Sequence, residues 1–320
     1  MLLILSNKTD HSTSAVIKWL LHYKTPFRRI NGEDDLLGVN IIMNTNEGIR
    51  IVLNGQGNEN YDLSHFESFW YRRGDLQIVT PVLSISQYAV INTLKREWHK
   101  LKEFIYYQLL LKKHLGNLSK ERDHLKLQSL DVARSVGLRI PDTYVLSDKR
   151  TANLLATESE FITKAIDNLY SLTINNRHYA SCTEMVNMGG EDVEEGILCC
   201  PFLVQRYVKK KLELRIFFLQ DKLFPMAIFS QRNDKTMIDY RNYDNIKPNR
   251  NVPYILSKEH NTKVLNFIQK IGMDTGSIDI IVTPENDLVF LEVNHLGQFG
   301  WLSHNCNYFI EKHIAQYFNN

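Results

Sequence analysis

The sequence predicts a mixed α/β (α+β) protein, and three observations carry that prediction. Apolar strands alternate with amphipathic helices through the first third of the chain. The last third is rich in short apolar strands joined by tight turns. At 320 residues the chain has room for more than one domain, and composition shifts suggest units at 1–116, 117–196 and 197–320.

The elements follow in order. Leu2 to Ser6 reads as a buried strand, and Ser12 to Tyr23 as a helix opened by Ser12-Thr13-Ser14, with Val16, Trp19 and Leu20 on one side. Phe27 to Ile30, Val39 to Met43, Ile49 to Leu53 and Ser68 to Arg72 read as strands, giving a small domain with a partly parallel sheet. A long amphipathic helix spans roughly Ser84 to Leu115. The second unit opens near Asn117 with a helix over Lys120 to Val136, for which Gly137 suits a left-handed cap. Strands at Thr143 to Leu146 and Phe161 to Ala165 flank a helix from Lys149 to about Leu155. The polar stretch Asp167 to Gly196 reads as a loop or long hairpin; its acids from Glu184 to Glu195 are a candidate contact for a basic peptide, or simply a solvated loop. The third unit holds strands at Phe202 to Val208, Glu213 to Leu219, Leu223 to Phe229 and Thr236 to Tyr240. A helix over Ser257 to Ile271, strands at Ile278 to Thr283 and Leu288 to Val293, and a helix near Tyr308 to Tyr317 close the chain.

Composition narrows the function. The chain is 43% hydrophobic and 23% charged with a net charge of +2, too balanced to argue for a nucleic-acid partner. No stretch approaches a membrane span, and the apolar opening before Asn7-Lys8 is too short for a signal-peptide core. Cys182, Cys199, Cys200 and Cys306 form no Cys-x-x-Cys pair, and neighbours in sequence are poor disulfide partners. Reduced thiols in a cytoplasmic protein are the expectation.

The chemistry concentrates in the last sixty residues. If Glu285 and Asn286 form a two-residue loop, Asp279 sits opposite Glu292, and alternation puts Asn294 on the same face. A longer loop would shift this register. Opposed Cβ atoms lie only ~5 Å apart, so two carboxylates there would repel, and removing one should hold or raise stability. A divalent cation with oxygen ligands is the usual remedy. The opposite face is apolar, while Phe290 and Ile281 lie deeper on the acid-bearing face, placed to meet an adenine. Glu213 and Arg215 share a face with Met226, Ile228, Ser230 and Arg232 if their hairpin turns tightly at Gln220-Asp221. Lys126, Lys164, Arg215, Arg232 and Arg241 are cations that a fold could gather round a polyphosphate, although each alone reads equally as a solvated surface charge.

Lys126, then Gly137-Leu138-Arg139-Ile140-Pro141-Asp142-Thr143, Lys164, Val204-Gln205-Arg206-Tyr207-Val208, Glu213-Leu214-Arg215, Asp279 and Glu292-Val293-Asn294 resemble, in that order, an ATP-grasp carboxylate–amine ligase. Phe69-Trp70-Tyr71-Arg72-Arg73, Ser230-Gln231-Arg232, Asp239-Tyr240-Arg241 and the run from Glu292 to Gly300 and Cys306-Asn307-Tyr308 narrow the resemblance. It is to the ATP-grasp peptide maturases of the graspetide (microviridin-like) systems, of the grasp-with-spasm type.

The resemblance implies an ATP-grasp fold with a Rossmann-like pre-grasp domain over 1–116 and two grasp subdomains after it. It implies ATP between two antiparallel sheets, Lys126 and Lys164 on its phosphates, the backbone of Gln205, Arg206, Tyr207 and Val208 at the adenine, and Glu213 at the ribose. Asp279, Glu292 and Asn294 would hold magnesium, two ions in all. Arg215, Arg232 and Arg241 would be the catalytic cations, the last two also suited to the acceptor carboxylate. The implied reaction joins a side-chain carboxylate of a ribosomal precursor peptide, leader plus core, to a Ser/Thr hydroxyl or a Lys amine, giving macrocycles. A homodimer is the implied assembly. One departure stands out: Asp167 to Ala180 contains no glycine, where many such enzymes close a glycine-rich loop over the phosphates. Two other readings remain: a ligase acting on a protein chain end or a small acid, and a non-catalytic nucleotide-binding partner protein.

Overall fold

The computed structural model describes residues 1–320 except 80–87, 123–124, 149–150, 152–158, 167–170, 176, 181–182, 187–197, 234, 242–243, 245 and 320. The helix expected from Lys149 and most of the acidic stretch, including Glu191, Asp192, Glu194 and Glu195, lie outside the described residues. The chain divides into two compact units, Met1–Asp123 with Met273–Gly276 and His295–Asn320, and His124–Gly272 with Ser277–Asn294.

The first unit begins with β1 (Leu2–Ser6), buried at all five positions. That is the signature of a central strand in a parallel sheet, covered on both faces. Helix α1 (His11–His22) starts one residue earlier than the Ser/Thr run suggests, because Asp10 is the N-cap and its carboxylate accepts the Thr13 N–H at 2.8 Å. Next come β2 (Phe27–Asn31), β3 (Asp35–Leu36), β4 (Gly38–Asn44), β5 (Gly48–Asn54), β6 (Asn60–Asp62), β7 (Ser68–Tyr71) and β8 (Gln77–Ile78). After them stand α2 (Tyr88–Leu110), β9 (Lys113–Leu115) and α3 (Leu118–Arg122). The main sheet has the order β2-β1-β7-β9, parallel throughout, and β4-β5-β6 form an antiparallel sheet beside it. The long helix stops short of Leu115 because Lys113–Leu115 pairs with β7 instead. Gly116 follows at φ +78, where a Cβ would lie 2.2 Å from the Tyr71 carbonyl oxygen, so only glycine fits that exit.

The second unit opens with α4 (Lys126–Ser135). The single helix expected over Lys120 to Val136 is therefore two, and Lys126 becomes the first residue of the second. Gly137 takes φ +80 after α4, as its cap role requires. Then come β10 (Thr143–Asp148), β11 (Phe161–Lys164), β12 (Ser171–Ile174), β13 (Arg177–Ala180), β14 (Glu184–Met185) and β15 (Leu198–Arg206). They build an antiparallel sheet β10-β15-β11-β14 and the separate hairpin β12-β13. Next are β16 (Leu212–Leu219), β17 (Lys222–Phe229), β18 (Arg250–Pro253), α5 (Lys258–Ile271), β19 (Thr275–Val282) and β20 (Leu288–Asn294). The second sheet has the order β18-β17-β16-β19-β20. Thr236 to Tyr240 is not a strand: Thr236 Oγ1 donates to the Ser230 carbonyl at 2.8 Å, one of several side-chain-to-backbone bonds that hold this stretch in turns.

After β20 the chain returns to the first unit as α6 (Gly300–Cys306) and α7 (Ile310–Asn319). The Phe318 ring lies 6.4 Å from Trp70 of β7, and the Lys312 ammonium sits 5.3 Å over the Trp19 ring of α1. Among the described residues no helix is long and apolar enough to cross a membrane.

Candidate active site

Positive charge gathers first. Helix α4 opens after Leu125 with no side-chain cap and no acid in its first turn. The positive end of its dipole therefore favours an anion. Lys126 Nζ donates to the Ala165 carbonyl at 2.7 Å, one residue beyond Lys164 at the end of β11. Burial pushes the Lys164 ammonium down to about 8; Lys126 and Arg241 add to that fall, while Glu292 and Asp279 oppose it.

Negative charge stands opposite, on the β19–β20 hairpin. Asp279 pairs with Glu292 and Ser277 with Asn294, the register read from sequence. The route to it differs. The Thr283 N–H donates to Asp287 O at 3.0 Å and the Asn286 N–H to Thr283 O at 2.9 Å, so the loop has three residues, with Asn286 at φ +70. A bulge at Leu291 then takes up the extra residue, since Ile280 pairs with Phe290 while Asp279 pairs with Glu292. Asp279 Oδ2 accepts from Arg215 Nη1 at 2.6 Å and from Asn294 Nδ2 at 3.1 Å. Its Oδ1 is buried with no hydrogen-bond partner.

The two acids do not stand as an isolated repelling pair. Burial raises the Asp279 carboxyl to about 6, helped by Glu292 and opposed by Arg215. Burial would also raise Glu292, yet Lys164, Arg241 and Lys126 hold it below its ordinary value. Burial disfavours the Arg215 guanidinium, but Asp279 beside it keeps it above its usual range.

A cavity open to solvent is lined by residues of both larger sheets of the second unit. Ten of the residues singled out from sequence line it: Lys164, Gln205, Arg206, Tyr207, Val208, Glu213, Arg241, Asp279, Ile281 and Glu292. Arg215 and Asn294 reach it through Asp279, and Lys126, outside the lining, bonds Ala165 O one residue beyond Lys164. Gln205 Nε2 donates to Thr143 Oγ1 at 2.8 Å, leaving its Oε1 buried and unpartnered. The Arg206 and Tyr207 N–H groups are already taken by Asp142 O and Glu160 O. Arg241 is gripped by Asp239 through Nε and Nη2, and its Nη1 lies 3.8 Å from Glu292.

Two expectations are corrected. Phe290 does not line the cavity. It is fully buried and packs against Phe267 of α5 at 4.8 Å between ring centroids, because the bulge shifts alternation by one and Leu291 takes its place in the lining. Arg232 is exposed and outside the lining, because the chain leaves β17 into a 3-10 turn at Ser230–Arg232. Sequence reasoning missed Lys210, Asp239 and Tyr240 as cavity residues. The spacing of Lys210 three residues before Glu213 was the available signal for the first.

The donor set suits a hard divalent ion: a carboxylate oxygen buried without a partner, a second carboxylate across the pair, and an amide oxygen beside them. Among the described residues no three His, Cys, Asp or Glu side chains converge as a metal cluster, so such an ion would need phosphate or water oxygens to complete its shell.

No protein-family model matches the sequence, and no curated protein does. Solved structures do match. The chain is similar to a Chryseobacterium gregarium RiPP-associated ATP-grasp ligase in complex with ADP and a leader and core peptide, with 22% identity, a TM-score of 0.81, and coverage of 99% of this chain and 95% of that one. It is similar to macrocyclase MdnC of Microcystis aeruginosa MRC bound with precursor peptide MdnA, at 25% identity, TM-score 0.76, and coverage of 99% and 98%. The ATP-grasp ligase PsnB, complexed with minimal precursor, Mg and ADP, matches at 12% identity and TM-score 0.69 over 99% and 96%.

Proposed function

We infer that this chain, which has the ATP-grasp fold, is an ATP-dependent ligase that crosslinks the side chains of a ribosomal precursor peptide. The carrying observation is the cavity itself: a facing acid pair with one oxygen unsatisfied, set against Lys164 and Arg241. Its likeness over 99% of the chain to ligases solved with precursor peptides supplies the substrate class.

In this reading Lys126 and Lys164 take the phosphates of ATP, and the strand end Gln205 to Val208 takes the base. Asp279, Glu292 and Asn294 would hold magnesium, which when bound would offset phosphate charge. An oxygen of a peptide Asp or Glu carboxylate attacks the γ-phosphorus, and ADP leaves with the electrons of the broken P–O bond. A Ser or Thr hydroxyl, or a Lys amine, then attacks the acyl carbon; phosphate leaves and the nucleophile loses its proton. The product is an ester or amide, and the peptide loses one water per crosslink. Arg215 and Arg241 supply fixed positive charge where negative charge builds on the transferring group. The partner is the precursor, leader plus core. A homodimer in the cytoplasm completes the reading, and the free thiols of Cys200 and Cys306 are consistent with that compartment.

The test is incubation with a Thr- and Glu/Asp-rich precursor, ATP and magnesium, followed by mass spectrometry. Loss of one water per crosslink, dependent on ATP, is the expected result. ADP release with small amino acids and none with the peptide would favour the amino-acid ligase reading. No turnover with either would leave a nucleotide-binding partner.

A further inference from the structure

The run Lys209-Lys210-Lys211 follows the strand end at the cavity, and only its middle member is buried. An ammonium in that position is tolerated only if its hydrogen bonds are met. Lys210 Nζ donates to Glu213 Oε1 at 2.8 Å and to the Ile238 carbonyl at 2.9 Å. Ser230 Oγ donates to the same Glu213 Oε1 at 2.7 Å. All three side chains are buried, and Lys210 and Glu213 both line the cavity. Two donors therefore saturate one carboxylate oxygen from two directions. No described residue donates to Oε2, so Glu213 is held in one rotamer as a bare acceptor. A carboxylate so fixed selects a hydrogen-bond donor, which a sugar hydroxyl supplies, because only a donor can use the remaining lone pairs. Lys210 reaches further: its bond to Ile238 O ties Glu213 to the turn that carries Asp239, Tyr240 and Arg241, all of which line the same cavity.

We propose that Lys210, with Ser230, is a positioning residue for nucleotide binding, fixing Glu213 as the acceptor for the sugar hydroxyls and holding the Arg241 turn in register with it. This rests on the nucleotide reading of the cavity. Two of the three N–H donors of the ammonium are committed, to Glu213 and Ile238.

The test is equilibrium binding of ATP, 2′-deoxy-ATP and 3′-deoxy-ATP to the full chain and to Lys210→Met, Lys210→Arg and Ser230→Ala. The wild type should bind ATP more tightly than at least one deoxy analogue by about tenfold, the worth of one charge-assisted hydrogen bond. In Lys210→Met that preference should collapse: ATP weakens by about tenfold while the discriminated deoxy analogue changes little. Lys210→Arg should restore part of the preference, and Ser230→Ala should lose part of it. Equal weakening of all three nucleotides in Lys210→Met and Ser230→Ala would overturn the positioning role. A wild type that binds ATP without preferring it over either deoxy analogue would overturn it while leaving the ligase reading intact. A wild type that binds no adenine nucleotide would overturn both. Should Lys210→Met fail to fold, Ser230→Ala decides, since it removes one donor and leaves the buried ion pair in place.

Discussion

Lys164 is the side chain whose charge its surroundings change most usefully. Its folded value of about 8 has a direct consequence for binding: a neutral amine does not attract phosphate, so ATP affinity should fall as pH rises through that value. Stability of the free protein should move the other way. The unfolded lysine titrates near ~10.4, so between the two values the unfolded chain holds more protons, and stability rises with pH across that window. Parallel ATP titrations and urea midpoints should show the opposed slopes, and Lys164→Met should flatten both. A second expectation concerns Glu292. Sequence alone shows two facing acids, from which removing one should hold or raise stability. The structure adds Lys164, Arg241 and Lys126, which hold Glu292 ionised, so Glu292→Gln should lower the stability of the metal-free protein as well as abolish crosslinking. A urea midpoint at or above wild type would show that acid crowding outweighs those cations. Arg215→Ala removes a charged donor and leaves Asp279 buried beside Glu292. It should cut single-turnover rate by roughly a hundredfold, about 3 kcal/mol, and ATP affinity much less. The reverse split would make Arg215 a ground-state anchor.

At the scale of the element, the β19–β20 hairpin shows what a sequence does and does not reveal. That Glu292 and Asn294 share a face was legible, because apolar alternation fixes it; the pairing with Asp279 was not fixed that way. The loop was not legible, since Pro284-Glu285-Asn286-Asp287 suits a two- or a three-residue turn. Two misreadings cancelled there: the longer loop moved the register by one, and the bulge at Leu291 moved it back for Asp279 and Glu292 but not for Phe290. Strands buried at every position, such as β1 and β16, were legible to within a residue. β18 was not, because Arg250-Asn251-Val252-Pro253 carries one apolar residue before a proline and owes its strand form to pairing with β17. Nor was the turn at Ser230–Arg232, where side-chain hydrogen bonds override the alternation of β17. The loop gives a clean test. Asn286 sits at φ +70, which asparagine tolerates and a β-branched residue does not. Asn286→Val should lower unfolding free energy by about 1–2 kcal/mol, while Asn286→Gly should hold it near wild type. Equal midpoints for the two variants in urea would show that the loop relaxes freely.

At the scale of the whole molecule, every residue lining the cavity belongs to the second unit. Nucleotide binding should therefore stabilise that unit: at a free ligand concentration about a hundred times Kd the gain is ~2.7 kcal/mol. Thermal melts with ATP and magnesium should show an upward shift, reduced in Glu292→Gln. A melt unchanged by ligand in the wild type would count against the cavity as the nucleotide site. The first unit is discontinuous. Its parallel sheet and α1 come from the first 123 residues, but the partners of Trp70 and Trp19, Phe318 and Lys312, come from the last 26, after the whole of the second unit has been threaded. A ribosome delivers the chain from one end at ~5–20 residues per second, and domains made early usually fold early. This one cannot finish on that schedule. Its sheet must wait for α7, made only after the whole of the second unit, so the unit begun first is completed after the unit begun second.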